Sequence, residues 1–99
     1  MKFNAVYLDP AMKDVVEIRG YLSQFYPSTP MKFLAALKKG VESVCENPHI
    51  CPVYEDNPAY RKIVVLDYLV FYKVQETERI IEIHRVLYGM RNVKGYLPK

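Results

Sequence analysis

Three β-type runs in close succession constrain this chain more than any other feature. Residues 61–66, 68–74 and 80–87 are dense in Val, Ile, Tyr and Phe, side chains that suit a pleated, half-buried surface. Asp67 alone separates the first two runs, and Gln75-Glu76-Thr77-Glu78 separates the second from the third. Parallel strands need a crossover of a dozen residues or more, so connections this short predict hairpins. The second part of the chain is therefore expected to be a small antiparallel sheet.

The part before it reads differently. Residues 2–8 alternate as a strand, with Phe3, Ala5 and Tyr7 on one side and Asn4, Val6 and Leu8 on the other. Asp9-Pro10 is a helix start, because Asp accepts backbone N–H bonds at a cap and proline costs nothing in the first turn. Val15, Ile18, Leu22 and Phe25 follow at helical spacing, and Pro27 closes the helix. Ser28-Thr29-Pro30 opens a second helix whose stripe is Leu34, Leu37, Val41 and Val44, ending near Asn47-Pro48. Gly20 and Gly40 each cost about 1 kcal/mol relative to alanine in a helix. Gly40, beside its stripe, fits either a close approach of the two helices or a tolerated surface glycine. Pro48, Pro52 and Pro58 make the return to the sheet a stiffened loop. The order is β-α-α-β-β-β: an α+β fold with a helical hairpin on a small, mainly antiparallel sheet.

Composition bounds what such a fold can do. Ninety-nine residues suit one domain over 1–99, and an apolar fraction of 51% excludes disorder. No apolar run approaches the roughly 18 residues of a membrane span. The start, MKFNAVYLDP, has too short an apolar run for a signal peptide. Cys45 and Cys51 are then expected as reduced thiols in the cytoplasm. No cofactor or metal is expected, since Cys45, His49 and Cys51 lack a fourth ligand and the usual paired spacing. Residues 60–99 hold eight basic groups against four acidic ones, whereas residues 1–59 carry a net charge of −1. A basic sheet suits a polyanion or an acidic peptide.

Coverage of the sheet raises a question. Two helices cover one face of four strands, yet the middle run is apolar on both, with Leu69 and Phe71 opposite Tyr68, Val70, Tyr72 and Val74. Either a partner covers Leu69 and Phe71, or the last residues fold back as a lid. The partner reading is preferred because only residues 91–99 are left to make a lid.

The element order and the last strands resemble the RelE/ParE toxins of bacterial type II toxin–antitoxin systems. The matching features are Arg61 opening the second strand and Asp67-Tyr68 through Tyr72 in the central hairpin strand. Arg85-Val86-Leu87-Tyr88-Gly89-Met90-Arg91 stands where the family closes its last strand in an HG-x-R-type turn. The resemblance implies a growth-inhibiting, plasmid-stabilising toxin neutralised by a cognate antitoxin protein. It also implies one of two activities: ribosome-dependent cleavage of messenger RNA, or binding and poisoning of DNA gyrase.

Cleavage by the 2′-hydroxyl needs cations for the phosphate, a base and an acid. Arg61 and Arg91 supply charge, Tyr88 or Tyr96 a proton, and His84 a base on a face shared with Glu82 and Val86, near Tyr88. Lys62, Lys73, Arg85, Lys94 and Tyr96 are the expected RNA contacts, since bases stack on aromatic rings beside cations. Two departures stand out: Leu69 replaces an arginine common after the central tyrosine, and Tyr88 replaces a common histidine. The endoribonuclease is the first expectation and the gyrase poison the alternative, with ribosome and message, or gyrase, as the target.

Overall fold

The computed structural model describes residues 2–89 and 93–97. Its elements are β1 (Asn4–Tyr7), α1 (Asp9–Leu22), α2 (Ser28–Glu46), β2 (Arg61–Val65), β3 (Tyr68–Gln75), β4 (Ile80–Tyr88) and a 3-10 turn (Val93–Tyr96). The sheet order is β1-β4-β3-β2. β4 runs antiparallel to β3 and β3 to β2, while β1 lies parallel to β4, so the sheet is mixed. The expected α+β architecture is observed, with each strand within two residues of its expected limits.

Local chemistry explains the helix ends. α1 begins at Asp9 with Pro10 in its first turn, but its cap is Leu8 and no side chain closes it. Asp9 thus acts by charge near the helix N-terminus rather than as the expected cap. α1 stops at Leu22, short of Pro27, where Ser23 Oγ donates to the Gly20 carbonyl at 2.8 Å. Phe25 therefore leaves the apolar stripe and is exposed.

The main core lies between the helices and one face of the sheet. Ala11 of α1 and Phe33, Leu37, Val41, Val44 and Cys45 of α2 meet Ile63, Val65, Val70, Tyr72, Ile81, Ile83 and Val86. Phe33, absent from the expected stripe, is fully buried edge-on to Tyr68, with ring centroids 5.1 Å apart. Gly40 admits a close approach, but of helix to sheet. A Cβ there would sit 3.2 Å from Ile63 Cγ2 and 3.4 Å from Val65 Cγ2. Gly40→Val should therefore overpack the α2–β2 contact and cost about 1–3 kcal/mol by thermal unfolding. A variant as stable as the parent would show that β2 yields there.

The opposite face is covered from within the chain. Tyr54, Tyr60, Val93 and Leu97 form a second cluster over Phe71 and Leu87, with Leu69 packed at its margin. The proline-bearing loop reaches this face because Tyr54 N–H bonds to the Tyr60 carbonyl (2.8 Å) and Tyr60 N–H to the Asn57 carbonyl (3.0 Å), closing a tight turn. The expectation of Leu69 and Phe71 on an uncovered, partner-binding face is thereby corrected. Phe71 is 0% exposed and Leu69 half-buried, and the lid uses two loop tyrosines as well as the chain's end.

A bulge changes the register of β4. Phe71 stands opposite Arg85 but Tyr72 opposite Ile83, leaving His84 as the extra residue. The expected alternation of His84 with Val86 fails here. Val86 enters the helix-side core, while His84 turns to the other face against Tyr60.

Candidate functional site

Arg61 opens β2 on the helix side, opposite Tyr72. Its Nη1 donates to the Cys51 carbonyl at 2.6 Å, and the Tyr72 hydroxyl donates to the Pro48 carbonyl at 2.9 Å. Two side chains thus pin the loop after α2, a structural duty that holds the guanidinium in place. Burial above all pushes the Tyr72 phenol up, so it stays protonated.

The outer face gathers a different set. Lys62 Nζ sits 5.6 Å from the Tyr54 ring centre and Lys73 Nζ 4.8 Å from that of Tyr60. The His84 ring meets Tyr60 edge-on at 5.1 Å, and His84 Nε2 lies 3.0 Å from Glu82 Oε1. Hydrogen bonds from Gln75 and then His84 hold the Glu82 carboxyl below its ordinary range, whereas burial, then Glu82, raises the Tyr60 phenol. The result is a carboxylate-oriented imidazole flanked by a lysine and covered rings. Such a group can exchange a proton, and the lysines can meet an anion.

Arg85 does something else. At the edge of β4 its Nε and Nη2 donate to the two oxygens of Asp14 on α1, at 2.7 and 2.8 Å. Val86 N–H donates to the same carboxylate at 2.9 Å, and Arg85 Nη1 to the Tyr96 carbonyl at 3.0 Å. The guanidinium also lies 5.4 Å from the Tyr96 ring centre. The hydrogen bond to Asp14 is the main reason its pKa rises further. One arginine thereby ties α1, β4 and the C-terminal turn together. Sequence reading missed Asp14, although its position between Ala11 and Ile18 on the core side of α1 was a signal. An acidic group there requires a cation.

Tyr88, half exposed, closes β4 edge-on to Tyr68, with ring centroids 5.8 Å apart. It is on the helix side, away from His84. Its partner in register is Tyr68 and that of Arg61 is Tyr72, so the two are separated by four residues, about 13 Å, along β3. Arg91 and the Lys94 side chain lie outside the described residues. The named groups thus divide into Arg61 at one end of the helix side, Tyr88 at the other, and Lys62, Lys73 and His84 on the outer face. Arg85 and Tyr96 form an edge strut. His49 meets Glu76 at 2.6 Å, and among the described residues no three His, Cys, Asp or Glu side chains gather as a metal site.

Two concave surfaces complete the picture. A groove of about 590 Å³ runs between α1 and α2, floored by Val15, Leu34, Leu37 and Val41 and flanked by Arg19, Lys38 and Glu42. A second, of about 640 Å³, opens where the helices part from the sheet near Tyr88.

A helical hairpin on a mixed four-stranded sheet is the α+β architecture that the resemblance to RelE/ParE toxins implied. The family model for the ParE toxin of the type II toxin–antitoxin system, parDE, matches residues 5–93, and the chain belongs to this family. Similar solved structures include the RelBE2 toxin–antitoxin complex of Mycobacterium tuberculosis. It has 12% identity and a TM-score of 0.65, over 89% of this chain and 99% of that one. The intact RelBE complex of E. coli is similar at 18% identity and TM-score 0.64, covering 90% and 99%. The chromosomal ParDE system of P. aeruginosa follows at 19% and 0.63, covering 88% and 96%. At such identities the likeness speaks for the fold. No curated protein sequence matches this one. Among the described residues no helix is long and apolar enough to cross a membrane.

Proposed function

We propose that this toxin arrests growth in the cytoplasm by binding a protein target, with DNA gyrase the one the family offers, and that a cognate antitoxin restrains it. The observation that carries the reading is the dispersal of its candidate catalytic groups. Arg61 is held by the Cys51 carbonyl, and Tyr88 and His84 are on opposite sides of the sheet, while Arg91 lies outside the described residues; Arg85, an expected RNA contact, is held by Asp14. Phosphodiester cleavage needs its acid, base and cations within hydrogen-bond reach of one phosphate. Leu69, where nuclease relatives often carry an arginine, adds no cation. For the antitoxin, the groove between α1 and α2 replaces the face of Leu69 and Phe71. It is apolar, Met12 and Val16 stand exposed beside it, and Arg19 and Lys38 outnumber Glu42, which suits an acidic amphipathic segment.

One feature favours a second reading, ribosome-dependent cleavage of messenger RNA: the outer-face set of Lys62, Lys73 and the His84–Glu82 pair. A Lys73→Ala, His84→Ala double variant separates the two. Acid–base groups contribute about 10²- to 10⁴-fold to catalysis, so a nuclease built on His84 would lose its toxicity. Growth arrest close to the parent's, still relieved by co-expressing the neighbouring small reading frame, is the expected result. Loss of arrest in a folded double variant would reverse the order of the two readings.

A further inference from the structure

The end of the molecule around Tyr88 is built unlike a finished surface. The groove there is lined by Ile18, Tyr21, Phe33, Tyr68, Val86 and Tyr88. Tyr21 and Leu66 are 56% and 60% exposed at its rim, and Phe25, equally exposed, stands edge-on to Tyr21 at 5.3 Å. Large apolar side chains grouped in this way are costly in water and mark contact sites.

Leu66 adds a second observation. It occupies the turn between β2 and β3 with φ of 53°, a left-handed conformation that a non-glycine residue holds at a cost of order 1–3 kcal/mol. Burial gives nothing back, since the side chain projects into solvent. Gly89 N–H donates to the Asp67 carbonyl at 2.8 Å, fixing this turn against the end of β4.

The edge of β4 supplies a third. β1 pairs with β4 only from Ile80 to Ile83, so beyond that no other described strand lies on this side. Val86 N–H bonds to Asp14, which shows that its main-chain groups point away from β3. By the two-residue alternation of a strand, those of Tyr88 do the same. Asp14 takes the Val86 N–H, while the Val86 C=O and the Tyr88 N–H and C=O face away from β3, toward the side where no other described strand lies. Charge then narrows the occupant. Asp14 is neutralised by Arg85, leaving Glu17 and Asp67 against Lys32, a rim that disfavours a polyanion and suits a basic residue.

We propose that this end grips the target: an extended, apolar protein segment with a flanking lysine or arginine lies in the groove and pairs with the main chain at Tyr88. The proposal rests on the reading of the chain as a toxin that acts by binding. Proline is tolerated at an edge position whose N–H points outward, so Tyr88→Pro removes the pairing donor without removing a bond of the sheet.

Growth arrest by the full chain, titrated through its expression level, reads the effect. Melting temperature and co-purification with the antitoxin control for folding. Tyr88→Pro and Leu66→Glu should each raise the amount of protein needed for arrest about thirty-fold or more, as for hot-spot contacts. Both should retain the antitoxin. Leu66→Glu on an exposed turn keeps the test decisive should Tyr88→Pro fail to fold. A parent that arrests growth without cutting messages, yet ignores Leu66→Glu, would overturn this surface alone. A parent that cuts messages would overturn the reading beneath it.

Discussion

Replacing Asp14 with alanine should lower the melting temperature by more than about 10 °C. Both partners of the Asp14–Arg85 pair are mostly buried, with 10% and 21% of their side chains exposed. Removing one member of such a pair costs about 3–5 kcal/mol, because the other charge stays behind unpaired. For a domain of this size each kcal/mol lost shifts the midpoint by about 4–8 °C. Two further variants test the cause. Asp14→Asn keeps an acceptor for Val86 N–H and should cost less than alanine. Asp14→Leu with Arg85→Met removes both charges and should recover much of the loss, though not all, since Val86 N–H is then left without its acceptor. A double variant no better than Asp14→Ala would mean that the carboxylate serves the Val86 N–H more than the arginine.

Phe71→Ala is the second large effect. The ring is 0% exposed, edge-on to Tyr54 with centroids 5.0 Å apart, and covered by Tyr60, Val93 and Leu97. Truncating a fully buried phenylalanine costs about 3–5 kcal/mol through lost burial and the cavity left behind. On a sheet face open to water the same change would stay within about 0.5 kcal/mol. Thermal or urea unfolding therefore separates a covered outer face from an open one. Antitoxin binding should persist in folded Phe71→Ala, because the groove between α1 and α2 is on the other side of the sheet.

These two effects mark where sequence reading ended. β2, β3 and β4 were legible because β-branched and aromatic residues fill runs separated by connectors too short for crossovers. The helical hairpin was legible from the spacing of Val15, Ile18 and Leu22, and of Leu37, Val41 and Val44. Family-specific features at Arg61, Tyr68, Tyr72 and Gly89 led to the right family. What stayed hidden depends on contacts far apart in the chain. Asp14 and Arg85 are 71 residues apart, and no local pattern pairs them. The bulge at His84 is a property of the β3–β4 register, invisible to strict alternation. Tyr54 is set among prolines in the expected loop and Tyr60 stands just before the second strand, so their place over Phe71 emerged only from the fold. The candidate site suffered most from this. Arg61 and Arg85 are the right type of residue for a phosphate clamp, but each already holds a protein oxygen.

Purified toxin, added in parallel to a ribosome-based translation reaction and to DNA gyrase with supercoiled DNA, tests the mode of action most directly. Messages should stay intact and full-length protein should accumulate, while gyrase-linked cleaved DNA builds up and disappears again when the antitoxin is added. Messages cut within codons at the ribosome, with gyrase unaffected, would contradict a toxin that acts by binding and return His84, Lys73 and Lys62 to the centre of a nuclease site.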